Sequence, residues 1–364
     1  MDIASLITEA RRFGDRVRSV KRDLGDVGFE WYPYDTLSAF GHLDRLLTGA
    51  NRELFSGSGR VLDVGAQDGE LAFFLESLGH RVVAADHPAY NHNGMRGIRA
   101  LKQALGSGVE VHEIDVDRPF ALPHDCYDLV IFLGVLYHLR NPFYVLEELA
   151  RHATHCLLST RVARRYPDGA AMPAGVSLAY LLAENELNQD NSNYFIFNEA
   201  GLRVMIARAH WDMLEYVSLG ETSLSDPVRL DRDERAFCLL RSRYNRLANL
   251  ELVSGFHASE ETGWRWTAHE FAVRVQSGRV LEMHLWVAEE SIRQLGAITL
   301  SATANGRDLA PAVYDTPGPA TYTRALESVS GGNVEIRFRL DKALAPDAVD
   351  DRERGVIVAG IGVE

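Results

Sequence analysis

Residues 61–69 read Val-Leu-Asp-Val-Gly-Ala-Gln-Asp-Gly, and this stretch decides the fold. A short apolar run leads into a turn with Gly65 and Gly69, and Glu70–Leu78, with helical character, follows. Glycines in a strand–turn–helix unit let the backbone turn sharply and approach a ligand closely. Their spacing is Gly-x-x-x-Gly and not the Gly-x-Gly-x-x-Gly that surrounds a pyrophosphate. Because Asp63 would repel a diphosphate and attract a cation, the stretch predicts a site for a positively charged nucleoside.

Acidic residues also follow the next strands. Arg81–Asp86 is predicted as a second strand, and its carboxylate stands about 20 residues after the turn, where it can bind ribose hydroxyls. Val109–Ile114 is predicted as a third strand, followed by Asp115. Asp128–Leu133 is predicted as a fourth, nearly continuous apolar strand that is covered on both faces. Ligands bind at the carboxyl edge of such parallel sheets, so these carboxylates mark one candidate site.

In the order and spacing of these residues, the chain resembles class I S-adenosylmethionine (SAM) methyltransferases over roughly residues 60–245. The resemblance implies a Rossmann-like, doubly wound α/β fold with a seven-stranded sheet whose last strand is antiparallel. It also implies SAM as cofactor, with Asp86 on the ribose hydroxyls, Asp115 on the adenine amino group and Asp63 orienting the turn. The implied cofactor-binding residues are Asp63, Gly65, Ala66, Gly69, Asp86, His87, Asp115, Val116, Leu133 and Gly134.

Two segments resemble a narrower group, the bacterial enzymes that modify the wobble uridine of tRNA with carboxylated SAM in the 5-oxyacetic acid pathway. They are Gly134–Pro142, Gly-Val-Leu-Tyr-His-Leu-Arg-Asn-Pro, and Asn193–Asn198, Asn-Tyr-Phe-Ile-Phe-Asn. That group carries a basic Trp-Pro-Trp-Arg-Lys-type segment, whereas Trp31–Asp35 here reads Trp-Tyr-Pro-Tyr-Asp. A buried carboxylate needs a paired charge, so we expect plain SAM.

Composition limits the classes of function. The chain has 364 residues, a formal net charge of −13, and 46% hydrophobic residues, which suits a globular protein of two or three domains. Its longest apolar run, Leu129–Tyr137, is far shorter than the about 20 residues that cross a membrane, and Met1–Arg12 lacks a signal core. Cys126, Cys156 and Cys238 form no close pairs. We therefore expect a cytoplasmic protein without a membrane partner or a thiolate metal site.

The acidic balance counts against a nucleic-acid partner, because phosphate contacts dominate such binding. Local basic patches leave tRNA open as a less favoured partner. The two candidate patches are Arg11, Arg12, Arg16, Arg18, Lys21 and Arg22 on a predicted N-terminal helix, and Arg161, Arg164 and Arg165 after the fifth strand.

The sequence predicts three domains: an N-terminal helical cap (1–50), a SAM-binding Rossmann-like domain (51–247) and a C-terminal β-sandwich accessory domain (248–364). Helices are predicted at Ile3–Arg12 and Leu37–Leu47, separated by Gly-Asp and Trp-Tyr-Pro breaks. Such a cap would close over the cofactor.

The remaining strands of the SAM-binding domain are predicted at 155–162, Asp212–Leu219 and Arg235–Tyr244. Ala163–Glu186 is irregular and rich in Gly, Pro and Ala, and a connection of this length is often a functional lid.

The last 110 or so residues change character. Asn333–Leu340 alternates as a half-buried strand does, and Ala304–Arg307, Ala-Asn-Gly-Arg, predicts a type I′ hairpin. Trp264, Trp266 and Trp286 suit either core packing or a stack on a sugar ring, and the alternation favours the core. The segment 351–358 resembles the end of small β modules attached to bacterial glycan-assembly enzymes.

Tyr137 and His138 are the candidate catalytic residues, because they follow the fourth strand where the methyl group should emerge. Methyl transfer from a sulfonium needs alignment, and it needs a base only for a poorly acidic hydroxyl. His138 would be that base and Tyr137 would position a reactant, or both would only shape the pocket. His87 and His92 have no evident third ligand, so no metal is predicted.

The sequence therefore predicts a SAM-dependent methyltransferase that methylates an oxygen of a sugar, glycan precursor or small metabolite. Methyltransferases that act on amino groups carry an Asp/Asn-Pro-Pro-aromatic segment after the fourth strand. This chain lacks that segment, which favours oxygen as the acceptor atom. Two alternatives stay open: tRNA wobble-uridine modification, and a non-catalytic scaffold that binds SAM or a glycan. The sequence also leaves open whether the protein is a homo-oligomer.

Overall fold

The computed structural model describes residues 2–48, 51, 54–55, 58–124, 126–243, 250–258, 260, 264–276, 279–326 and 333–363. The chain forms two compact units, Met1–Ser242 and Arg243–Glu364. The predicted N-terminal cap is part of the first unit. The predicted boundary between residues 247 and 248 lies outside the described residues, as does Tyr244, the predicted end of a strand.

Within its described residues, the first unit contains a nine-stranded mixed sheet. Its strands are β1 (Arg60–Val64), β2 (Arg81–Asp86), β3 (Glu110–Glu113), β4 (Tyr127–Leu133), β5 (Ala153–Val162), β6 (Ala179–Leu181), β7 (Phe195–Phe197), β8 (Trp211–Gly220) and β9 (Glu234–Ser242). The parallel part has the order β3-β2-β1-β4-β5. Antiparallel β9 lies beside β5, and β8 pairs with β9. The chain reverses direction across the sheet between β1 and β4, which is the usual ligand position in such folds.

The predicted count of seven strands differs from the nine that the described residues form. The two extra strands, β6 and β7, have three residues each and pair antiparallel. They join the sheet only where Val162 of β5 pairs with Phe197. Strands of three residues are too short to show the alternation of apolar and polar residues that identifies a strand in a sequence.

Helices in the described part of the first unit cover both faces of the sheet. They are α1 (Ile3–Asp23), α2 (Glu70–Ser77), α3 (Arg96–Leu105), α4 (Pro142–His152) and α5 (Glu199–Arg208), with 3-10 helices at Thr36–Arg45, Leu136–His138 and Leu230–Arg232. Helix α1 contacts both α2 and α3, and α4 contacts α5. No helix among the described residues is long and apolar enough to cross a membrane.

Helix α1 corrects the predicted end at Arg12, because it continues to Asp23. Leu6, Ala10, Gly14 and Val17 are its buried residues, spaced three or four apart on one face. Gly14 has an ordinary helical place in this face, and a Cβ there would lie at a normal contact distance of 3.5 Å from Cδ1 of Leu37, so this glycine does not end the helix. The second predicted helix, Leu37–Leu47, is a 3-10 helix.

Helix α3 was not predicted from the sequence. It begins after Met95, whose φ of 62° is unusual for a residue with a side chain. Its buried face has only Gly97, Ile98 and Leu101, which is too short a pattern to identify a helix in advance.

The second unit contains eight antiparallel strands in its described residues. They are β10 (Glu251–Phe256), β11 (Arg265–Gln276), β12 (Val280–Val287), β13 (Ile298–Ala304), β14 (Arg307–Tyr314), β15 (Gly318–Ala325), β16 (Asn333–Leu340) and β17 (Ile357–Val363), with a helix α6 at Glu289–Leu295. Strand β11 pairs with both β16 and β17 and so joins the two halves of the sheet. Both halves contribute side chains to one apolar core, for example Val273, Met283 and Ile336.

Two local predictions for this unit have clear outcomes. The hairpin between β13 and β14 turns at Asn305 and Gly306, whose φ values of 47° and 81° confirm the type I′ turn. The expectation that the tryptophans belong to the core is wrong for Trp286, which is 49% exposed. Its neighbours in β12, Leu285 and Val287, are the buried ones, since strand residues alternate between faces.

Candidate active site

The glycine turn between β1 and α2 forms the first side of the site. Gly65 has a φ of 75° and Gly69 one of 80°, a region that side chains disfavour. A Cβ at Gly65 would lie 2.6 Å from Cγ2 of Val135, and one at Gly69 would lie 2.6 Å from Cγ1 of Ile98. Ala66 between them is buried. The turn therefore needs glycine at both positions to keep its backbone close to its neighbours.

Asp63 lies beneath this turn and is 4% exposed. Its Oδ2 is buried, and no described residue hydrogen bonds to it. Burial, with a contribution from Asp86, raises the pKa of the Asp63 carboxyl to about 7. A buried carboxylate without a partner is costly, so this oxygen favours a cationic group.

Asp86 ends β2 and is also buried. Its Oδ2 accepts hydrogen bonds from the backbone N–H of Gln67 and from Nδ2 of Asn91, each at 2.9 Å, and its Oδ1 accepts one from the N–H of His87 at 2.8 Å. Burial raises its pKa, while these hydrogen bonds act in the opposite direction. Oδ1 keeps an acceptor position for a ligand hydroxyl. Sequence reasoning missed Asn91, whose role depends on the fold of the loop.

The other predicted cofactor residues lie at the same edge. The N–H of Ile114 bonds to the Asp86 carbonyl at 2.8 Å, which brings the segment with Asp115 and buried Val116 beside the end of β2. Asp115 pairs with Arg118 at 3.1 Å. The Nδ1 atom of His87 is buried and has no hydrogen-bond partner among the described residues.

Leu133 and Gly134 follow at the end of β4, and both are half-buried. The N–H of Gly134 bonds to the Ser159 carbonyl at 3.0 Å, which fixes the start of the segment that carries Tyr137. The predicted residues are thus placed along the ends of β1, β2 and β4 and the segment after β3.

His138 lies in the 3-10 helix after β4 and contacts a loop far along the chain. Its Nδ1 is 3.0 Å from Oγ of Ser192 and 3.2 Å from the Ser192 carbonyl. The Ser192 hydroxyl donates to Oδ1 of Asp190 at 2.6 Å. Burial lowers the pKa of His138, and Asp190 acts against this shift. Neither Asp190 nor Ser192 was identified from the sequence.

The two segments that resemble the tRNA-modifying group lie side by side. The N–H of Tyr194 bonds to the Tyr137 carbonyl at 2.8 Å, and Nε of Arg140 bonds to the Tyr194 hydroxyl at 2.9 Å. This contact holds the 187–194 loop against the 3-10 helix.

A cation also reaches Tyr137. The guanidinium of Arg235 lies 5.8 Å from the centre of the Tyr137 ring, and its Nε is 3.1 Å from Asp233. Tyr32 is also near Tyr137. Burial, and then the neighbouring Tyr137, raise the pKa of the Tyr32 hydroxyl to about 12. The lack of a basic residue in 31–35 therefore does not leave this pocket without a positive charge.

Asp68 attaches the N-terminal segment to the glycine turn. It is 2% exposed and accepts hydrogen bonds from Nζ of Lys21 at 2.9 Å and from the N–H of Tyr32 at 2.8 Å. Nδ2 of Asn93 donates to its other oxygen at 2.7 Å. Helix α1 and the segment after it are thus fixed to the turn.

The second basic group is neutralised in the structure. Arg161 lies 3.2 Å from Asp233, and Arg164 makes a bidentate pair at 2.7 to 3.0 Å with the fully buried Glu234. Arg165 donates to backbone carbonyls. In the first group Arg12, Arg18 and Lys21 also pair with acids. No cluster of three His, Cys, Asp or Glu side chains among the described residues is arranged to hold a metal ion.

A family model described as a methyltransferase domain matches residues 39–216. This match supports a SAM-dependent methyltransferase domain over these residues, with SAM as the cofactor. No curated protein matches the chain. Solved structures give weaker similarities.

A methyltransferase of Bacillus halodurans is 18% identical, over 51% of this chain and 93% of its own, with a TM-score of 0.38. The N-terminal domain of EvdMO1, in the presence of S-adenosylhomocysteine and D-fucose, is 19% identical over 63% and 97%, with a TM-score of 0.43. The 1,6-didemethyltoxoflavin-N1-methyltransferase of Burkholderia thailandensis is 19% identical over 56% of this chain and 73% of its own, with a TM-score of 0.36. These similarities carry no argument about the acceptor.

The residues present fit SAM. The unpartnered Oδ2 of Asp63 provides negative charge, and the backbone at Gly65 and Gly69 leaves space that a Cβ would fill. Oδ1 of Asp86 can accept a ribose hydroxyl, and the unpartnered Nδ1 of His87 lies next to it in the chain.

Proposed function

We propose that this protein transfers a methyl group from SAM to a hydroxyl oxygen of a sugar, glycan precursor or related small metabolite. The observation that carries the proposal is the half-buried imidazole of His138, held after β4 beside Tyr137 and in contact with Ser192. Asp63, the glycine turn, Asp86 and Asp115 would hold SAM, as the resemblance implied. When bound, SAM supplies a methyl group already activated by a sulfonium, so the chain mainly needs to align the acceptor and exclude water.

His138 is suited to take a proton from an acceptor hydroxyl. Because burial lowers its pKa, its imidazole is uncharged near neutral pH and can accept a proton. A sugar hydroxyl is a poor nucleophile until it loses its proton, whereas an amine acceptor would not need this help. A half-buried neutral histidine beside Tyr137 therefore favours oxygen as the acceptor atom.

The surroundings of the site favour a small acceptor over RNA. The basic group nearest the site is engaged by Asp233, Glu234 and backbone carbonyls, so it offers few free cations to phosphates. The net charge of −13 acts in the same direction.

tRNA wobble-uridine modification is the second candidate. It is favoured by the contact between the segments with Tyr137 and Tyr194, since both carry the narrower resemblance. The acceptor in that case would be an oxygen or carbon of a nucleoside in a large anionic substrate.

Incubation of the full chain with methyl-labelled SAM tests these functions. One reaction contains a mixture of nucleotide sugars and free sugars, and the other contains total tRNA that is later digested for nucleoside mass analysis. We expect label in the sugar fraction and loss of transfer in His138→Ala. Label in the tRNA nucleosides would overturn the proposed acceptor.

Equilibrium dialysis with SAM accompanies both reactions, because His138→Ala should still bind the cofactor. A chain that binds no SAM at all would contradict any methyl transfer and leave the scaffold alternative.

A further inference from the structure

We propose that Asp190 and Ser192 position His138 and fix which ring nitrogen carries its proton. They do so through a line of hydrogen bonds, here called the relay, that runs from Asp190 through the Ser192 hydroxyl to Nδ1 of the imidazole. The inference rests on the proposed function, because it assigns these two residues a purpose in proton removal from an acceptor. They belong to the 187–194 loop, more than 50 residues after His138 in the chain.

The donors and acceptors along this chain of contacts are determined by the geometry. A carbonyl oxygen can only accept, so the 3.2 Å contact between His138 Nδ1 and the Ser192 carbonyl requires a proton on Nδ1. The Ser192 hydroxyl donates its hydrogen to Asp190, and its oxygen is then free to accept from the same Nδ1–H at 3.0 Å. The neutral imidazole therefore carries its proton on Nδ1, and Nε2 keeps the basic lone pair.

The loop that presents Ser192 is itself fixed. The Ser192 N–H donates to Asp190 at 2.8 Å, and Nδ2 of buried Asn193 donates to the carbonyls of Asp190 and Leu187 at 3.1 and 3.2 Å. Tyr194 then pairs with the Tyr137 backbone. Because these bonds hold both ends of the relay, the contact with His138 is built into the fold.

Two charged groups shift the pKa of His138 in opposite directions. Asp190, in the loop, favours the charged imidazolium, and Arg235, on β9, disfavours it. The ring of Tyr137 packs against the imidazole with the centroids 4.3 Å apart. When Nε2 gains a proton, Asp190 stabilises the new charge through the Ser192 hydroxyl, while Arg235 keeps the resting imidazole neutral.

The proton and electrons balance without a further reactant. The acceptor O–H proton moves to Nε2 of His138, and the acceptor oxygen forms its bond to the methyl carbon as the carbon–sulfur bond breaks with its electron pair left on sulfur. The imidazolium then releases the proton from Nε2 to water, and the Nδ1 proton stays in place throughout.

Nitrogen-15 NMR of the full chain labelled at histidine tests the relay without an acceptor. We expect the His138 signals of the Nδ1–H form, and we expect Asp190→Asn to lower the His138 pKa by about half a unit, since a stabilising charge is lost. Ser192→Ala should act in the same direction, and Ser192→Thr, which keeps the hydroxyl, should restore the native value. Matched controls are Asn191→Ala, an exposed neighbour between the two residues, and Glu184→Gln, an exposed acid upstream in the chain.

The same variants are assayed for methyl transfer to the sugar mixture at a series of pH values. Asp190→Asn and Ser192→Ala should lower the turnover rate about tenfold with little change in SAM affinity, because they act on proton transfer. A native signal of the Nε2–H form, or an unchanged His138 pKa in both variants, overturns the relay and leaves the proposed methyl transfer intact. Full transfer by His138→Ala overturns the base role, and with it the catalytic purpose of the relay.

Discussion

The proposed cofactor side and the proposed acceptor side of the site are formed by different kinds of groups. The proposed cofactor side consists mainly of backbone turns and buried carboxylates within residues 63–91, with Asp115 after β3 and Gly134 after β4 beside them. The acceptor side is assembled from side chains of four separate segments, which carry Tyr32, His138, Ser192 and Arg235. A substitution on the cofactor side is expected to cause steric overlap, whereas a substitution on the acceptor side is expected to change charges and pKa values. The difference teaches that cofactor binding and acceptor chemistry in this chain can be altered separately.

The largest effect is expected from Gly69→Ala. The new Cβ would lie 2.6 Å from Ile98 and 2.9 Å from Phe73, at a backbone φ of 80°. We expect a loss of about 3 kcal/mol in the free energy of unfolding, from strain and overpacking together, and SAM binding too weak to measure. Denaturant unfolding and calorimetry with SAM measure the two quantities.

Gly106→Ala is the control that measures the cost of backbone strain without steric overlap of the new Cβ. Gly106 also has a positive φ of 63°, but nothing lies within 4 Å of the position of its Cβ. It should cost only about 1 kcal/mol and leave SAM binding unchanged. Equal effects of the two substitutions would mean that the tight packing of the turn is unimportant.

A pH dependence of SAM affinity follows from Asp63. Its pKa of about 7 means that half of the molecules hold a proton there at neutral pH, and a cation must displace that proton. We expect the affinity to fall about fivefold between pH 7 and pH 6, because the ionised fraction of Asp63 falls from about one half to about one tenth. Asp63→Asn should bind SAM weakly with a flat pH profile in calorimetry, and a pH-dependent profile in this variant would assign the titration to another group.

The same residue affects stability with a definite sign. Between its ordinary pKa of 3.8 and the value of about 7 in the folded protein, only the unfolded chain loses the proton. The ligand-free protein therefore loses stability as the pH rises through this range, and Asp63→Asn should be more stable than the native chain at pH 8, by about 2 kcal/mol.

Lys21→Met tests whether the attachment of helix α1 to the glycine turn contributes to stability and to SAM binding. It leaves the buried Asp68 without a cation, although two hydrogen bonds from Tyr32 and Asn93 remain. We expect a loss of about 2 kcal/mol in unfolding free energy and weaker SAM binding. Arg22→Met, at the exposed neighbouring position, should change neither quantity, and an equal loss there would indicate a general charge effect.

The smallest effect is expected on the acceptor side, from Arg235→Met. Because Arg235 disfavours the charged form of His138, its removal should raise the His138 pKa by about half a unit, opposite to Asp190→Asn. An NMR titration measures this shift. Arg229→Met removes an exposed guanidinium paired with Asp231 and should leave the titration as it is.

Sequence reasoning reached the cofactor side better than the acceptor side, and the cause is physical. The turn at Gly65 and Gly69 and the carboxylates after β1, β2 and β3 are contiguous motifs whose local geometry sets their position. Arg235 and Ser192 carry no local signal, because only sheet pairing and loop docking bring them near Tyr137 and His138. Helix α1 was predicted too short, since Gly14 was interpreted as a break although the helix continues through it.

Strand β11 gives the second unit a particular order of assembly. Its twelve residues pair with β16 and β17, segments roughly 60 to 90 positions further along the chain. Such distant pairings close large loops and form slowly. The pairing of β11 is therefore completed only by segments that are synthesised much later, whereas all the strands from β1 to β9 precede β11 in the chain.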